Sequence, residues 1–104
     1  MKIQINTGKN ISLSEELRTS LTHIISEGLS RFDDQITRLE VHLSDEDGNK
    51  DGLNDKRCLL EARMEGRQPI AVTDHAGTHE EAVNGAIDKL KTSLKTILGR
   101  LKNR

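Results

Sequence analysis

THEEAVNGAIDKLKTSLKTILGRLKNR, residues Thr78–Arg104, is the stretch whose reading decides the fold. Thr78 and Glu81 are spaced as a capping box, in which the threonine side chain and the glutamate satisfy free amides at a helix start. Ala82, Val83, Ala86, Ile87, Leu90, Leu94, Ile97, Leu98 and Leu101 then recur at helical spacing on one face. A long helix with a single apolar stripe needs an apolar partner surface, so the rest of the chain must supply a sheet or further helices. The charge is uneven along this helix. After Asp88 no acid follows, while Lys89, Lys91, Lys95, Arg100, Lys102 and Arg104 are all basic.

Working back from it, Pro69-Ile70-Ala71-Val72-Thr73 reads as a strand whose proline marks a start or a sheet edge. Gly66-Arg67-Gln68 turns into it from Arg57–Glu65, where Cys58, Leu60, Ala62 and Met64 alternate with polar residues. Ile36–Ser44 alternates in the same way, with Leu39, Val41 and Leu43 on one side and Arg38, Glu40, His42 and Ser44 on the other. Asp45–Asp55, rich in Asp, Asn and Gly, reads as a loop joining two antiparallel strands. Lys2–Asn6 is a first strand that stops at the turn residues Thr7-Gly8-Lys9-Asn10. Ser12 or Ser14 can cap a first helix running to about Arg31, with Leu17, Leu21, Ile24, Ile25 and Phe32 at helical spacing and Gly28 as a weak point. The expected fold class is α+β, a two-layer β-α-β-β-β-α domain. Two helices pack on one face of a four-stranded sheet and leave the other face polar.

The length of 104 residues suits one domain, 1–104, able to bury a core without disulfides or metal. The core must be aliphatic, since Phe32 is the one aromatic residue. The net charge of -1 conceals polarity: residues 1–52 carry 6 basic and 10 acidic side chains, residues 53–104 carry 10 and 7. Such a basic half can steer toward polyphosphate in a salt-sensitive way. A single cysteine, Cys58, and a start without a signal pattern point to the cytoplasm. No apolar run approaches the roughly 20 residues that span a bilayer.

Candidate chemistry is thin. Asp45-x-Asp47-x-Asn49 opens like a calcium loop, but Lys50 stands where the turn glycine belongs and Lys56 where the closing glutamate belongs, so no metal is assigned. His42, Asp74, His75 and His79 would need a water-poor cleft to act as ligands or acid–base groups, which a small two-layer domain does not promise. No catalytic residue, cofactor or small-molecule substrate is expected, and the chain is read as a non-enzyme. Cys58 falls on an apolar strand face as a small buried hydrophobe. The basic set is the stronger signal: Lys91, Lys95 and Lys102 share one side of the last helix, Lys89 lies on an adjacent row, and Arg57, Arg63 and Arg67 precede them on the hairpin. Without interleaved aromatics, contact with the backbone or shape of folded RNA is favoured over base stacking.

The order β-α-β-β-β-α, the capped Glu15-Glu16-Leu17-Arg18, Leu39-Glu40-Val41-His42-Leu43-Ser44 and Ala86-Ile87-Asp88-Lys89-Leu90 with Leu94 resemble the ribosome hibernation-promoting factor and ribosome-associated inhibitor family. Asp55-Lys56-Arg57-Cys58, Glu61-Ala62-Arg63 and Gly66-Arg67-Gln68-Pro69-Ile70-Ala71-Val72 resemble one bacterial, sigma-factor-modulation-like branch of it. The resemblance covers nearly the whole chain. It implies a dsRBD-like fold and a cytoplasmic translation inhibitor that occupies the decoding channel of the small ribosomal subunit, blocking mRNA and tRNA under stress. It implies the short form, a monomer when free. rRNA contact is then expected from Lys89, Lys91, Lys95, Arg31, Arg57, Arg63, Arg67, Arg100 and Lys102. Thr92 and Ser93 stand where relatives often have Arg-Gln, Glu80 where an aromatic is common, and Ser26 and Ser30 at positions that tend to be basic. Fewer phosphate contacts imply weaker binding with a flatter salt dependence. A regulator that keeps the fold but binds a protein instead is the alternative.

Overall fold

The computed structural model describes residues 1–8, 11–45 and 55–102, with side chains through Gly99. Of the expected loop Asp45–Asp55, residues 46–54 lie outside the described residues, and Asp45 is the last residue of a strand. The elements are β1 (Lys2–Thr7), α1 (Glu15–Gly28), a 3-10 turn (Ser30–Phe32), β2 (Arg38–Asp45), β3 (Lys56–Arg63), β4 (Ile70–Ala76) and α2 (His79–Lys102). Their order is the expected one, and so is the two-layer arrangement. The sheet order β1-β2-β3-β4 follows the chain. β1 runs parallel to β2, with Ile3 beside Leu39 and Ile5 beside Val41, because α1 carries the chain back between them. The β2–β3 and β3–β4 pairs are antiparallel.

The alternation of each strand fixes one inner face. Leu39, Val41 and Leu43 of β2 and Cys58, Leu60 and Ala62 of β3 are buried, in register with half-buried Ile70 and Val72 of β4. Leu21 and Ile25 of α1 and Ala82, Val83, Ala86, Ile87, Leu90 and Leu94 of α2 close over them. Emptying a site such as Leu90, which is fully buried, to Ala costs about 2–5 kcal/mol in comparable cores. Both helices are capped as their sequences require: Ser14 Oγ accepts from the Leu17 amide at 3.0 Å and Thr78 Oγ1 from the Glu81 amide at 3.1 Å. Ser14 rather than Ser12 therefore caps α1.

Boundaries differ from the sequence reading by one to three residues: β2 begins at Arg38 rather than Ile36, and the shifts in α1, β3 and β4 bear on the packing. α1 ends at Gly28, where a Cβ would lie 3.0 Å from Ile87 Cγ2, and the chain tightens into the 3-10 turn that buries Leu29 and Phe32 together. β3 spans Lys56–Arg63, one residue early at its start and two short at its end. β4 continues through Asp74 and His75 to Ala76, pairing with Cys58, Arg57 and Lys56. Asp74 keeps the inward phase of Ile70 and Val72, and the strand tolerates a carboxylate there because Gly85 leaves space above it and Lys89 Nζ meets it at 3.1 Å.

A Cβ on Gly85 would sit 1.6 Å from Asp74 Oδ2 and 2.7 Å from its Cγ, whereas nothing lies within 4 Å of one on Gly99. Helix propensity favours Ala at both positions by about 1 kcal/mol. Urea denaturation is therefore expected to find Gly99→Ala stabilised by about 0.5–1 kcal/mol and Gly85→Ala destabilised; equal stabilisation of both would show that the Asp74–Gly85 contact carries no energetic weight.

Candidate nucleic-acid interface

α2 is long enough, at about 1.5 Å per residue, to outreach strands of seven or eight residues. Its later turns are consequently covered less, and Ile97 and Leu98 are only half-buried. Ile87 touches the end of α1 at Gly28, so Lys91 and Lys95, one and two turns further along the same side, follow the flank of α2 that faces α1. Arg31 projects from the 3-10 turn at the end of α1, exposed between buried Leu29 and Phe32. Arg31, Lys91 and Lys95 are thus brought to one region of the helix layer. Among the described residues, no acid lies within ion-pair distance of these three or of Arg67.

Arg67 stands in the β3–β4 turn next to Gly66, whose φ of 72° favours glycine. It borders a shallow cleft of about 300 Å³ with Asp34, Gln35, Thr37, Met64, Glu65 and Leu98, at the same end of the molecule as the later turns of α2. Arg100 and Lys102 continue α2 beyond it, but their side chains lie outside the description.

Lys89 is placed differently. It leaves α2 on the opposite flank, where its Nζ donates to the Thr73 carbonyl at 2.8 Å and pairs with Asp74 Oδ1 at 3.1 Å. The sequence reading that the basic turns of α2 have no acids to pair with is corrected here: the acid comes from β4. The inward phase of Asp74 among Ile70, Val72 and Ala76 is the signal that would have revealed it.

Arg57 and Arg63 lie on the open face of the sheet, away from the helices. Arg63 donates through Nε to Glu40 at 3.2 Å and through Nη2 to Glu61 at 2.8 Å, and Arg38 bonds Gln4 and approaches Glu40 at 3.8 Å. Burial pushes the Glu40 carboxyl up, but the Arg63 hydrogen bond and the Arg38 and Arg63 charges prevail, and it sits below the ordinary carboxylate range. The open face is therefore a neutralised network. The basic candidates fall into three groups: the α1–α2 flank with the nearby turn, the tethered Lys89, and the paired open face.

The histidine and aspartate candidates do not converge. His42 and His75 are exposed on the open face, with strand β3 between theirs, while Asp74 points to the helix side. His79 starts α2 near Lys56, which binds Asp45 at 2.6 Å and Asp55 at 3.4 Å. Burial, with the Lys56 charge adding to it, lowers the His79 pKa against the opposing pull of Asp45 and Asp55. Its Nδ1 is buried with no hydrogen-bond partner among the described residues. Among the described residues, no three of His, Cys, Asp or Glu are grouped as metal ligands, and no helix is long and apolar enough to cross a membrane.

With the β-α-β-β-β-α sheet and its basic helix flank established, comparison with known proteins is informative. The profile of the Sigma 54 modulation protein / S30EA ribosomal protein family matches residues 4–102. The chain belongs to this family. Its members are ribosome-associated proteins, in keeping with the resemblance read from the sequence. The N-terminal domain of Thermus thermophilus Protein Y superposes with a TM-score of 0.72 at 22% identity, over 93% of this chain and 99% of that one. A ribosomal subunit interface protein from Coxiella burnetii gives 0.71 at 20% identity, over 95% and 99%. At these identities the likeness establishes the shared fold. No curated protein matches the chain.

Cys58 lies under the helices opposite Asp74; burial, with that carboxylate adding to it, pushes its thiol up to about 12. Against an ordinary 9.0, the thiolate fraction at pH 8 falls about 10³-fold. A thiol-reactive chromogenic disulfide is expected to label the native protein at least that much more slowly than the urea-unfolded chain; equal rates would place Cys58 outside the core. The stability contributed by the neutral thiol is full below pH 9 and lost as pH rises toward 12. His79 has the reverse sign, since its folded pKa lies below the ordinary 6.5. Its contribution is full above 6.5 and lost as pH falls below that value, and His79→Gln should flatten the unfolding free energy measured as the pH is lowered from about 7.

Proposed function

We propose that this protein is a ribosome-associated hibernation factor that inhibits translation by occupying the decoding channel of the small subunit, where mRNA and tRNA would otherwise lie. Membership of the S30EA family across residues 4–102 is the observation that carries this reading. The protein acts as a plug and makes or breaks no bond. The family is one of non-enzymatic factors, and the separation of His42, Asp74, His75 and His79 suits that role.

Arg31, Lys91 and Lys95 form the leading edge of the rRNA contact. Their charges have no acid to satisfy them among the described residues, so phosphate approach costs no broken ion pair. Arg67 extends this surface at the same end of the molecule, and Arg100 and Lys102 are further basic residues of the same helix. Lys89 reaches a phosphate only by leaving Asp74 and Thr73. Arg57 and Arg63 face the other way, toward a different wall of the channel, and Arg63 must share its guanidinium with Glu40 and Glu61. A helix pair presenting unpaired cations, with no aromatics for base stacking, fits backbone and shape readout of folded RNA, with the cytoplasm as the site of action.

The test is co-sedimentation with purified small subunits over a salt series. Wild-type binding is expected to weaken steeply as salt rises. The triple variant Arg31→Glu, Lys91→Glu, Lys95→Glu should bind at least tenfold more weakly, with the slope of log affinity against log salt reduced by about 2–3. Failure of the wild type to co-sediment at low salt overturns the proposal, and recovery of a nuclease-insensitive protein partner in its place would identify a regulator that retains the fold alone.

A further inference from the structure

Among the described residues, the sheet ordered β1-β2-β3-β4 has two edges with no further strand beside them, and each carries a main-chain carbonyl met by a cation from a helix. On β1, Arg18 Nη1 donates to the Ile5 carbonyl at 3.3 Å. On β4, Lys89 Nζ donates to the Thr73 carbonyl at 2.8 Å while Asp74 Oδ1 holds the same ammonium at 3.1 Å. Unpaired edge strands invite pairing with other chains, and lysine on the edge is one way proteins prevent it.

The β4 edge needs such protection more. Beyond the edge proline Pro69, Ile70 to Thr73 carries no charge, and Ile70, Val72 and Thr73 are β-branched, a short stretch of the composition that favours strand addition. Thr73 stands opposite Leu59 of β3, yet its carbonyl is bound by Lys89, so this residue directs its carbonyl away from β3. In an antiparallel ladder the amide of the same residue points the same way. An incoming strand would have to donate to the very carbonyl that Lys89 occupies.

We propose that the outer edge of β4 is a self-pairing surface for a second copy of this chain, held closed by Lys89. The paired strands would run antiparallel about a two-fold axis near Val72, with Ala71 of each copy opposite Thr73 of the other. A two-fold axis closes the assembly and consumes both β4 edges. In this register Asp74 falls opposite Ile70, so no like charges meet within the strands. The axis stands perpendicular to the sheet, which keeps both helix layers on one side and draws the two Lys89 ammonium groups together. Lys89 thus opposes pairing twice, by blocking the Thr73 carbonyl and by repelling its own copy.

Sedimentation velocity of Lys89→Met tests this, because methionine keeps much of the aliphatic stem and removes the donor and the charge. The wild type and Lys89→Arg are expected to remain monomeric over the concentration range in which Lys89→Met doubles in mass. Lys89→Gln, a second variant without the charge, guards against misfolding of the first, with circular dichroism confirming the fold of each. Adding Thr73→Pro to Lys89→Met should restore the monomer, since proline at an outward-facing position removes no bond to β3. Folded Lys89→Met and Lys89→Gln that both stay monomeric overturn the proposal. So does a dimer that survives Thr73→Pro, since it would pair elsewhere.

Discussion

The structure depends on a single contact layer, in which two amphipathic helices cover one face of one sheet. With almost no aromatic bulk available, close approach has to come from small side chains. Ala62 and Cys58 in β3 and Ala82 and Ala86 in α2 are all buried in that layer, between larger residues such as Leu60, Leu90 and Leu94. Covering one face commits the alternate residues of every strand to the other face. The ionic network of Arg38, Glu40, Glu61 and Arg63 is the consequence of that commitment, because these residues occupy the outward phase of the same strands.

Charge on this molecule is sorted by whether the fold has already provided a counter-ion. The open face has carboxylates for its arginines, and β4 has one for Lys89. The flank where α1 meets α2 has none for Arg31, Lys91 and Lys95 among the described residues. A paired cation gains less from an incoming phosphate than an unpaired one, so position and pairing distinguish these residues where residue type does not. In the proposed function, this sorting is what lets a nearly neutral protein engage an anionic partner.

Much of the fold was legible because its rules are local. Period-two alternation in Ile36–Ser44 and Arg57–Glu65, helical spacing from Ala82 to Leu98, and hydroxyl caps at Ser14 and Thr78 each report burial or hydrogen bonding within a few residues. What escaped was set by partners distant in sequence. Nothing around Lys2–Asn6 announces that β1 lies parallel to β2. The end of α1 was misplaced by three residues because Gly28 is fitted to Ile87, and the last turns of β4 were missed because Asp74 and His75 look like loop residues until Gly85 and Lys89 are beside them. The basic site was legible in composition only. Periodicity could group Lys91 with Lys95, but whether Lys89 was free depended on a carboxylate fifteen residues earlier in the chain.

The carboxylate of Asp74, seated over Gly85 and joined to Lys89, also bears on uniqueness. Ile70 and Val72 are similar enough in shape that hydrophobic packing alone discriminates weakly between the observed pairing of β4 with β3 and one slipped by two residues, which preserves the inward phase. A polar group is less forgiving. In the slipped arrangement the carboxylate would leave the space above Gly85 and the reach of Lys89, and would be left under the apolar face of a helix without a partner. The one charged residue in the inward phase of β4 therefore works as an alignment key, fixing at once the longitudinal position of the last strand and the rotation of the last helix upon it.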